Sequence, residues 1–250
     1  MSERANSVQM PAIAVLSGGL ATRLRPITTQ MPKSLVPVAG EPFVGHQLRM
    51  LAREGFSKAV LLCGFMGEEI EAYVGDGGQF GIEVRYSFDG ETLRGTGGAI
   101  RKALPLLGDC FMVIYGDSWC PTRYRPIWEF FVDAGKQGLM TVFENNGQWD
   151  TSNVIFEQGK ILQYHKTAKD PAMRFIDYGI GAFDSRVFEA WEDAAVFDLA
   201  TVQRYLLEQD QLAGYLVHER FYEIGSHSGL RETDEYIRAE LLNNAAGKMS

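Results

Sequence analysis

Glycine and basic residues near the start of the chain have the types and spacing of a phosphate-binding loop. Gly18 and Gly19 follow a short apolar run, and Arg23, Arg25 and Lys33 come soon after them. Because glycine has no Cβ, backbone N–H groups in such a loop can approach a ligand closely and form an anion-binding concavity. The arginines add forked donors that suit phosphate oxygens, and the lysine adds a mobile positive charge. Gly-Gly alone would favour a surface turn, but this combination favours phosphate binding.

A carboxylate follows the most apolar stretch of the chain. Residues 111–115 are typical of a buried strand, and Asp117 comes just after them. A lone aspartate at this point could cap the next turn. It is also suited to Mg²⁺, which prefers oxygen ligands and is commonly held by one or two carboxylates together with phosphates. The residues by themselves leave both interpretations of Asp117 open.

The order of residues in the first loop resembles the signature of the sugar-1-phosphate nucleotidylyltransferases. The matching pattern is Gly18-Gly19-x-Ala21-Thr22-Arg23-Leu24-x-Pro26-x-Thr28, followed by Pro32-Lys33-x-Leu35-x-Pro37. The family usually has glycine where Ala21 stands and often proline where Ser34 stands. Gly-x-Gly-x-x-Gly is absent from this loop, which argues against a dinucleotide-dependent oxidoreductase. The resemblance extends over residues 12–237.

The resemblance implies that a nucleoside triphosphate and a sugar 1-phosphate react to give a nucleotide sugar and pyrophosphate. Arg23 would bind the departing β- and γ-phosphates, and Lys33 would stabilise the α-phosphate. A second glycine-rich segment, residues 93–99, would by itself indicate only the start of a helix. Because it follows a predicted strand, it resembles the family's loop that contacts the base and the ribose. The implied nucleotide-binding residues are Leu16, Gly18, Gly19, Thr22, Arg23, Leu93, Gly95, Thr96 and Gly97.

The resemblance also implies a Mg²⁺ site formed by two carboxylates. The family has a Gly-Asp at the position of Asp117, and that aspartate holds the metal. Its second carboxylate belongs to a Trp-x-Asp-Ile-Gly-Thr segment, which residues 221–226 resemble with Glu223 in place of the aspartate. Glutamate can bind Mg²⁺ through the same kind of oxygen. The alternative is that Glu223 pairs with Arg220 or Arg231 at the surface.

Residues in the second half are expected to bind the sugar phosphate. The segment around Lys166 resembles the family's Glu-Lys pair, whose lysine grips the phosphate, although His165 takes the place of the glutamate. A surface lysine is the alternative from the residues alone. Residues 149–153 combine an aromatic ring with hydroxyl, amide and carboxylate groups, a mixture that suits a sugar. The implied sugar-phosphate residues are Asn153, Lys166, Tyr178 and Gly179, and the implied catalytic residues are Arg23, Lys33, Asp117 and Lys166.

Strands and helices alternate in the first half of the chain. Apolar runs predict strands over residues 12–16, 59–63, 83–87 and 111–115. Alternation with helices indicates βαβ units and a mainly parallel sheet covered on both faces, and such sheets bind ligands beyond the carboxyl ends of strands. The resemblance implies a Rossmann-like α/β three-layer sandwich with a smaller sugar-binding portion. We expect a single domain over residues 1–250, with a nucleotide-binding part at 11–120 and a sugar-phosphate-binding part at 121–243.

The remaining predicted elements are less regular in the second half. Helices are predicted at residues 42–54, 67–74, 99–107, 126–136, 187–191, 199–208 and 230–243. Further strands are predicted at residues 139–143, 154–156, 160–164 and 176–183, with another that ends at residues 216–217. The strands on either side of Gly159 are typical of a hairpin.

Composition argues against several classes of partner. The chain has a net charge of −8, whereas nonspecific nucleic-acid binding needs a basic face. No apolar stretch is long enough for a membrane span. Cys63, Cys110 and Cys120 show neither metal-like nor disulfide-like spacing, which suits a reducing cytoplasm. We therefore expect a cytoplasmic enzyme that acts on small molecules and has no nucleic acid or membrane partner. Whether it forms a homodimer is left open by the sequence.

The resemblance does not fix the base or the sugar. GTP with D-glycero-α-D-manno-heptose 1-phosphate or mannose 1-phosphate, for surface polysaccharide synthesis, is the first expectation. The alternative is a UTP-dependent uridylyltransferase that acts on N-acetylmuramate 1-phosphate or a hexose 1-phosphate. A noncatalytic nucleotide-sugar sensor is a further alternative, which the departures at His165 and Glu223 keep open.

Overall fold

The computed structural model describes residues 9–19, 22–167 and 170–246, so Ala21 of the glycine–arginine motif lies outside it. The strands, in chain order, are β1 (Ile13–Ser17), β2 (Pro37–Val38), β3 (Glu41–Pro42), β4 (Lys58–Cys63), β5 (Glu83–Phe88), β6 (Cys110–Tyr115), β7 (Ser118–Trp119), β8 (Gly138–Glu144), β9 (Val154–Glu157), β10 (Lys160–Tyr164), β11 (Phe175–Asp184), β12 (Leu212–Val217) and β13 (Tyr222–Glu223). The helices are α1 (Phe43–Arg53), α2 (Gly67–Val74), α3 (Gly95–Leu107), α4 (Tyr124–Ala134), α5 (Leu199–Glu208) and α6 (His227–Ala246). Short 3₁₀ helices include Lys33–Leu35 and Ser185–Ala190.

A mixed sheet forms the centre of the structure. Among the described residues it contains nine strands, and its main path runs β10-β9-β11-β6-β1-β4-β5. The neighbours β6, β1, β4 and β5 are parallel, as the predicted βαβ units require. β11 pairs antiparallel with β6 and β8, and β12 adds parallel to β8. The predicted Rossmann-like α/β class is confirmed, and the second half supplies the antiparallel part.

Apolar side chains cover both faces of the sheet. β1 is apolar from Ile13 to Leu16, so alternate side chains can enter cores on opposite faces. Ile13 and Val15 belong to the core formed with α1, α2, α4 and α6, whereas Ala14 belongs to the core formed with α3 and α5. Full burial of one Ile or Val side chain contributes about 1.5–3 kcal/mol. The loops that leave β1 and β6 therefore start from firmly held strands.

Several element boundaries differ from the prediction. α3 begins at Gly95, not at Ala99, because the glycine-rich segment is already helical. The segment predicted as a helix at residues 187–191 forms the 3₁₀ helix Ser185–Ala190. α6 begins at His227, earlier than predicted, whereas β12 ends at Val217, as predicted. The bounds of α2 and α5 match the prediction.

The cysteines are free thiols, in agreement with their spacing. Burial, together with the nearby Glu71 and Asp89 carboxylates, raises the pKa of the Cys63 thiol to about 12, so this thiol stays protonated at neutral pH. Among the helices that the structure describes, none combines the length and the apolar character needed to cross a membrane.

Candidate active site

A cavity of about 270 Å³ opens where the parallel strands end. This is the edge at which open α/β sheets bind ligands. Its lining residues are Leu16, Ser17, Gly18, Gly19, Lys33, Ser34, Leu62, Asp89, Leu93, Gly95, Thr96, Ala99, Tyr115, Gly116, Asp117 and Asp198. The structure thus brings together most of the predicted nucleotide-binding residues, whereas Thr22, Arg23 and Gly97 do not line the cavity.

Glycine keeps the loops after β1 and β6 close together. A Cβ at Gly116 would lie 2.5 Å from Ser17 Oγ and 2.8 Å from the Leu16 carbonyl oxygen, so a side chain would push the two loops apart. By contrast, apart from Gly19 itself and its two neighbours in the chain, no atom of the described residues lies within 4 Å of the Cβ position of Gly19. A ligand can therefore approach the Gly19 backbone closely from this side.

Lys33 and Asp117 form an ion pair in the cavity wall. Lys33 Nζ lies 2.5 Å from Asp117 Oδ2. Asp117 follows β6, and the buried Gln47 of α1 fixes its turn by donating to the carbonyl oxygens of Tyr115, at 3.0 Å, and Ser118, at 2.9 Å. The Asp117 side chain is still 32% exposed. Its carboxylate is thus held in place and accessible to a ligand.

A short strand pair brings Glu223 beside Asp117. β13 pairs antiparallel with β7, and Glu223 stands opposite Ser118 in this pair. The Ile224 N–H donates to the Asp117 carbonyl oxygen at 2.9 Å. The two carboxylate residues that the resemblance assigned to a metal therefore lie in one small region, although they are far apart in the sequence.

The Glu223 carboxylate is held by the segment that follows it. Oε2 accepts from the Gly225 N–H at 2.5 Å, and Oε1 accepts from the Ser226 hydroxyl at 3.0 Å. Arg220, one of the surface partners considered for Glu223, pairs with Glu232 instead. The longer side chain of glutamate is thus folded back onto its own turn.

Gly225 marks the point where the charged groups meet. A Cβ at this residue would lie 2.0 Å from Glu223 Oε2, 3.0 Å from Lys33 Nζ and 3.1 Å from Arg23 Nη2. Although Arg23 is outside the cavity lining, its guanidinium group therefore reaches the same place as Lys33. The absence of a side chain at Gly225 allows two cations and a carboxylate to come together.

Asp117 and Glu223 are the residues at this place that could hold a divalent cation. Within the described ranges, no group of three or more His, Cys, Asp and Glu side chains is arranged to hold a metal ion. Mg²⁺ needs fewer protein ligands, because it is commonly held by one or two carboxylates together with waters and phosphates. The donor set therefore fits Mg²⁺ that arrives with a phosphate ligand.

The second glycine-rich segment packs against the residues that precede α5. The Gly97 N–H donates to the Phe197 carbonyl oxygen at 2.9 Å, and a Cβ at Gly97 would lie 2.4 Å from the Phe197 ring. The resemblance implies that Gly97 binds the nucleotide, which stays a prediction, and the close packing against Phe197 is a further reason for a glycine here. Gly95 and Thr96 line the cavity, and Thr96 Oγ1 accepts from the Leu199 N–H at 2.8 Å.

Two of the predicted sugar-phosphate residues, Tyr178 and Gly179, belong to β11, and the other two, Asn153 and Lys166, precede it in the chain. Lys166 Nζ is 2.7 Å from Asp198 Oδ2, and Asp198 lines the cavity. Asn153 Oδ1 accepts from the Asp177 N–H at 3.0 Å, and the Gly179 N–H donates to Asp177 Oδ1 at 3.1 Å. Burial raises the pKa of the Asp177 carboxyl to about 6. Gly179 has φ +99°, a conformation that favours glycine.

Tyr178 belongs to the core beneath this region. It is 2% exposed, and its ring packs against Phe143 and Phe221. Its buried hydroxyl has no hydrogen-bond partner within the described part of the chain. The contact of Tyr178 with a sugar stays a prediction.

A comparison with known families identifies the fold around this site. The model of the nucleotidyl transferase family matches residues 13–240. The chain belongs to the nucleotidyl transferase family. This confirms the family that the glycine–arginine motif resembles.

Individual relatives show how far the similarity extends. The chain is 33% identical over 182 residues to the low-salt glycan biosynthesis nucleotidyltransferase Agl11 of Haloferax volcanii, over 71% of the chain and 50% of the relative. It is 26% identical over 211 residues to the D-glycero-α-D-manno-heptose 1-phosphate guanylyltransferase of Aneurinibacillus thermoaerophilus, over 83% of the chain and 86% of the relative. The chain spans about half the length of several curated relatives that it matches. The crystal structure of HddC from Yersinia pseudotuberculosis has the same fold, with a TM-score of 0.76 and 21% identity over 91% of this chain and 100% of that one.

Asp89 is a cavity residue that the sequence analysis did not identify. It is 7% exposed, and its Oδ2 accepts from the Arg94 N–H at 3.2 Å. Burial raises the pKa of the Asp89 carboxyl, and the hydrogen bond from Arg94 and the charges of Arg94 and Lys102 oppose this shift. The available signal was its position directly after β5, which ends at the same edge of the sheet as β1 and β6.

Proposed function

We propose that the protein transfers a nucleoside monophosphate from a nucleoside triphosphate to a sugar 1-phosphate and releases pyrophosphate. The reaction joins two anionic substrates, so it needs cations for the phosphates and carboxylates for Mg²⁺ at one place. The observation that carries the proposal is the convergence of such groups beside the glycine loop, namely Arg23, Lys33, Asp117 and Glu223. Membership of the nucleotidyl transferase family supports it.

The residues act by positioning and by offsetting charge. No general base is required, because the attacking oxygen of a sugar 1-phosphate is already ionised at neutral pH. Lys33 donates to the α-phosphate, Arg23 binds the phosphates that leave, and Lys166 holds the acceptor phosphate. Holding two reactants in the correct geometry converts a bimolecular step into an effectively unimolecular one. Fixed charges at the α-phosphate stabilise the transition state.

The charge of the cavity favours a cation that accompanies the triphosphate. Among the described lining residues, Lys33 supplies positive charge, whereas Asp89, Asp117 and Asp198 supply negative charge. A triphosphate would meet net repulsion in such a cavity without a further positive charge. Asp117 and Glu223 would hold Mg²⁺. When bound, Mg²⁺ supplies charge neutralisation and Lewis acidity at the phosphates.

A buried carboxylate at the base end of the cavity favours GTP as the donor. Guanine presents adjacent N–H groups on its Watson–Crick edge, which a carboxylate can accept together, whereas uracil presents one N–H group between carbonyl oxygens. Asp89 lies in the cavity next to Leu93 and Gly95, where the resemblance places the base. The proposed acceptors are D-glycero-α-D-manno-heptose 1-phosphate and mannose 1-phosphate, for surface polysaccharide synthesis in the cytoplasm. The similarity to a heptose 1-phosphate guanylyltransferase supports this choice.

Asp89→Asn should reduce the preference for GTP over UTP. The asparagine amide replaces one acceptor oxygen by a donor, so it faces an N–H group of guanine unfavourably. A bidentate contact with a base contributes about 1–3 kcal/mol of discrimination, so the ratio of kcat/KM for GTP to that for UTP should fall at least about fivefold. Steady-state rates with each triphosphate measure this ratio. An unchanged ratio in a folded variant would remove Asp89 from base recognition.

Arg23→Ala should lower kcat/KM for the triphosphate at least about tenfold, because a hydrogen bond to a charged group contributes about 1.5–3 kcal/mol. Its guanidinium group reaches the Gly225 position together with Lys33 Nζ. The matched control is Arg85→Ala, which removes an arginine from an exposed ion pair with Glu83. Normal kinetics for Arg23→Ala would refute the assignment of the loop to the leaving phosphates.

One assay tests the whole proposal. Pyrophosphate release is measured for GTP, UTP, CTP, ATP and dTTP, each against a panel of sugar 1-phosphates with and without Mg²⁺, and the nucleotide sugar is identified by mass spectrometry. We expect Mg²⁺-dependent release that is fastest with GTP. Release that is fastest with UTP would identify the uridylyltransferase alternative and overturn the choice of base. Tight nucleotide-sugar binding without any turnover would identify a noncatalytic sensor and overturn the proposed activity.

A further inference from the structure

Lys166 obtains a carboxylate partner from a distant part of the chain. Its neighbour in the sequence is His165, so no carboxylate precedes it. Instead, Lys166 Nζ lies 2.7 Å from Asp198 Oδ2. Lys166 follows β10, whereas Asp198 directly precedes α5. The contact therefore depends on the tertiary structure and is invisible in the sequence pattern.

The side chain of Asp198 does not cap α5, although its position in the sequence suggests that it would. It occupies the N-cap of α5, where aspartate commonly accepts hydrogen bonds from the first turn of the helix. Here the side chain makes no capping hydrogen bond. Instead, Thr96 Oγ1 of α3 accepts a hydrogen bond from the Leu199 N–H at 2.8 Å and so caps the start of α5. The Asp198 carboxylate is thereby left for Lys166.

The backbone next to Asp198 is fixed to the nucleotide side of the cavity. The Phe197 N–H donates to the Arg94 carbonyl oxygen at 3.1 Å, and the Phe197 carbonyl oxygen accepts from the Gly97 N–H. The Phe197 ring also stacks on Trp191. Asp198 therefore has a defined place in the cavity wall. A carboxylate held in this way can fix the end of a long, flexible lysine side chain.

Stability alone does not account for this ion pair. The side chains of Lys166 and Asp198 are 55% and 48% exposed, and exposed ion pairs add little to folding stability. The pair differs from an ordinary surface pair because one member lines the cavity in which phosphates are expected. A carboxylate and a phosphate are both anionic acceptors, so the lysine ammonium group can exchange one for the other.

We propose that Asp198 is the positioning residue for Lys166. Asp198 holds the Lys166 ammonium group at the edge of the cavity until the acceptor phosphate replaces the Asp198 carboxylate as its partner. This inference rests on the proposed function. By holding the ammonium group near its final position, Asp198 reduces the conformational freedom that Lys166 loses when the acceptor binds. The benefit should therefore appear with the sugar 1-phosphate and not with the triphosphate.

A double-mutant cycle tests the assignment. Initial rates of pyrophosphate release are measured against sugar 1-phosphate, at saturating triphosphate, for Lys166→Ala, Asp198→Ala and the double variant. We expect Asp198→Ala to raise the acceptor KM about threefold to tenfold and Lys166→Ala to raise it further. The double variant should match Lys166→Ala, because without the lysine there is nothing for Asp198 to position. Triphosphate affinity, measured by calorimetry without acceptor, should change less than about twofold in Lys166→Ala. It should not weaken in the variants that lack Asp198, because the Asp198 carboxylate adds negative charge to the cavity.

Two further substitutions separate positioning from helix capping. Asp198→Ser keeps a good N-cap residue but removes the charge, whereas Asp198→Glu keeps the charge. Positioning predicts that Asp198→Glu restores the acceptor KM and that Asp198→Ser does not. Capping predicts the reverse and a lower melting temperature for Asp198→Ala. The matched control is Asp210→Ala, which breaks an exposed ion pair with Lys136 outside the cavity and should leave KM unchanged.

Each outcome has a distinct meaning. Additive effects of Lys166→Ala and Asp198→Ala, or rescue by Asp198→Ser, would overturn the positioning role while wild-type turnover upholds the proposed function. Absence of turnover in the wild-type protein with every substrate pair would overturn the proposed function and, with it, the acceptor phosphate that the role requires.

Discussion

Asp117→Asn is expected to lower kcat at least about a hundredfold and to remove the dependence of the rate on Mg²⁺. Asp117 lies in the cavity wall, 2.5 Å from Lys33, at the end of a strand that is buried on both faces. Asparagine keeps the shape of the side chain and removes the negative charge. Loss of one preorganised electrostatic contact at a transition state costs about 10²–10³ in kcat. Lys33 would also lose the partner that orients it in the resting protein.

The measurement is the initial rate as a function of Mg²⁺ concentration for Asp117→Asn, Glu223→Gln and the control Asp210→Asn. We expect a smaller loss for Glu223→Gln, because the Glu223 carboxylate is already engaged by the Gly225 N–H and the Ser226 hydroxyl. The control should behave like the wild type, since Asp210 pairs with Lys136 at an exposed site. If Asp117→Asn kept both its rate and its Mg²⁺ dependence, the metal would bind elsewhere.

The parallel half of the fold could be predicted because its signals are local. β1, β4 and β6 are short apolar runs with turn residues after them, and burial on both faces of a parallel sheet requires such runs. α2 and α5 have apolar residues at helical spacing, and their predicted bounds are those of the structure. Because parallel strands end at the same edge of a sheet, the sequence also predicts that the loops after β1 and β6 lie close together.

The antiparallel half depends on pairings that no local pattern specifies. The apolar pattern of β11 would suit a parallel strand as well, yet β11 pairs antiparallel with both β6 and β8. The observed start of α3 differs from the predicted one for a related reason. Gly97 is a weak helix former, but the tertiary contact with Phe197 holds it in a helix. In both places tertiary packing outweighs local preference.

Within the candidate site, residue types were easier to predict than their partners. Lys33 and Asp117 stand out by type and position, but their ion pair joins distant parts of the chain. The supporting glutamine, Gln47, lies on a mostly apolar helix face and carries no motif. Asp198 has the ordinary appearance of an N-cap, and only the geometry shows Thr96 in that role. Such partners follow from strand order and register and not from sequence spacing.

Gly225→Ala is expected to lower kcat about a hundredfold while changing stability little. The added Cβ would lie 2.0 Å from Glu223 Oε2, 3.0 Å from Lys33 Nζ and 3.1 Å from Arg23 Nη2, so these groups must move. All three atoms are the ends of flexible side chains, so the fold can accommodate the methyl group. The backbone of Gly225 does not have a positive φ, and alanine is therefore not strained there. Misplacement of reacting groups by about 1 Å can cost about a hundredfold in rate.

The comparison is with Gly78→Ala, which adds the same methyl group at the exposed start of the 3₁₀ helix Gly78–Phe80, near Asp76 and away from the cavity. Melting temperatures of both variants should stay close to that of the wild type, whereas only Gly225→Ala should lose turnover and need more Mg²⁺ for half-maximal rate. Since the methyl group removes no charge, this result would show that the spacing of Arg23, Lys33 and Glu223 matters as well as their presence. A Gly225→Ala protein with a normal rate and a normal Mg²⁺ requirement would show that the reaction does not depend on this convergence.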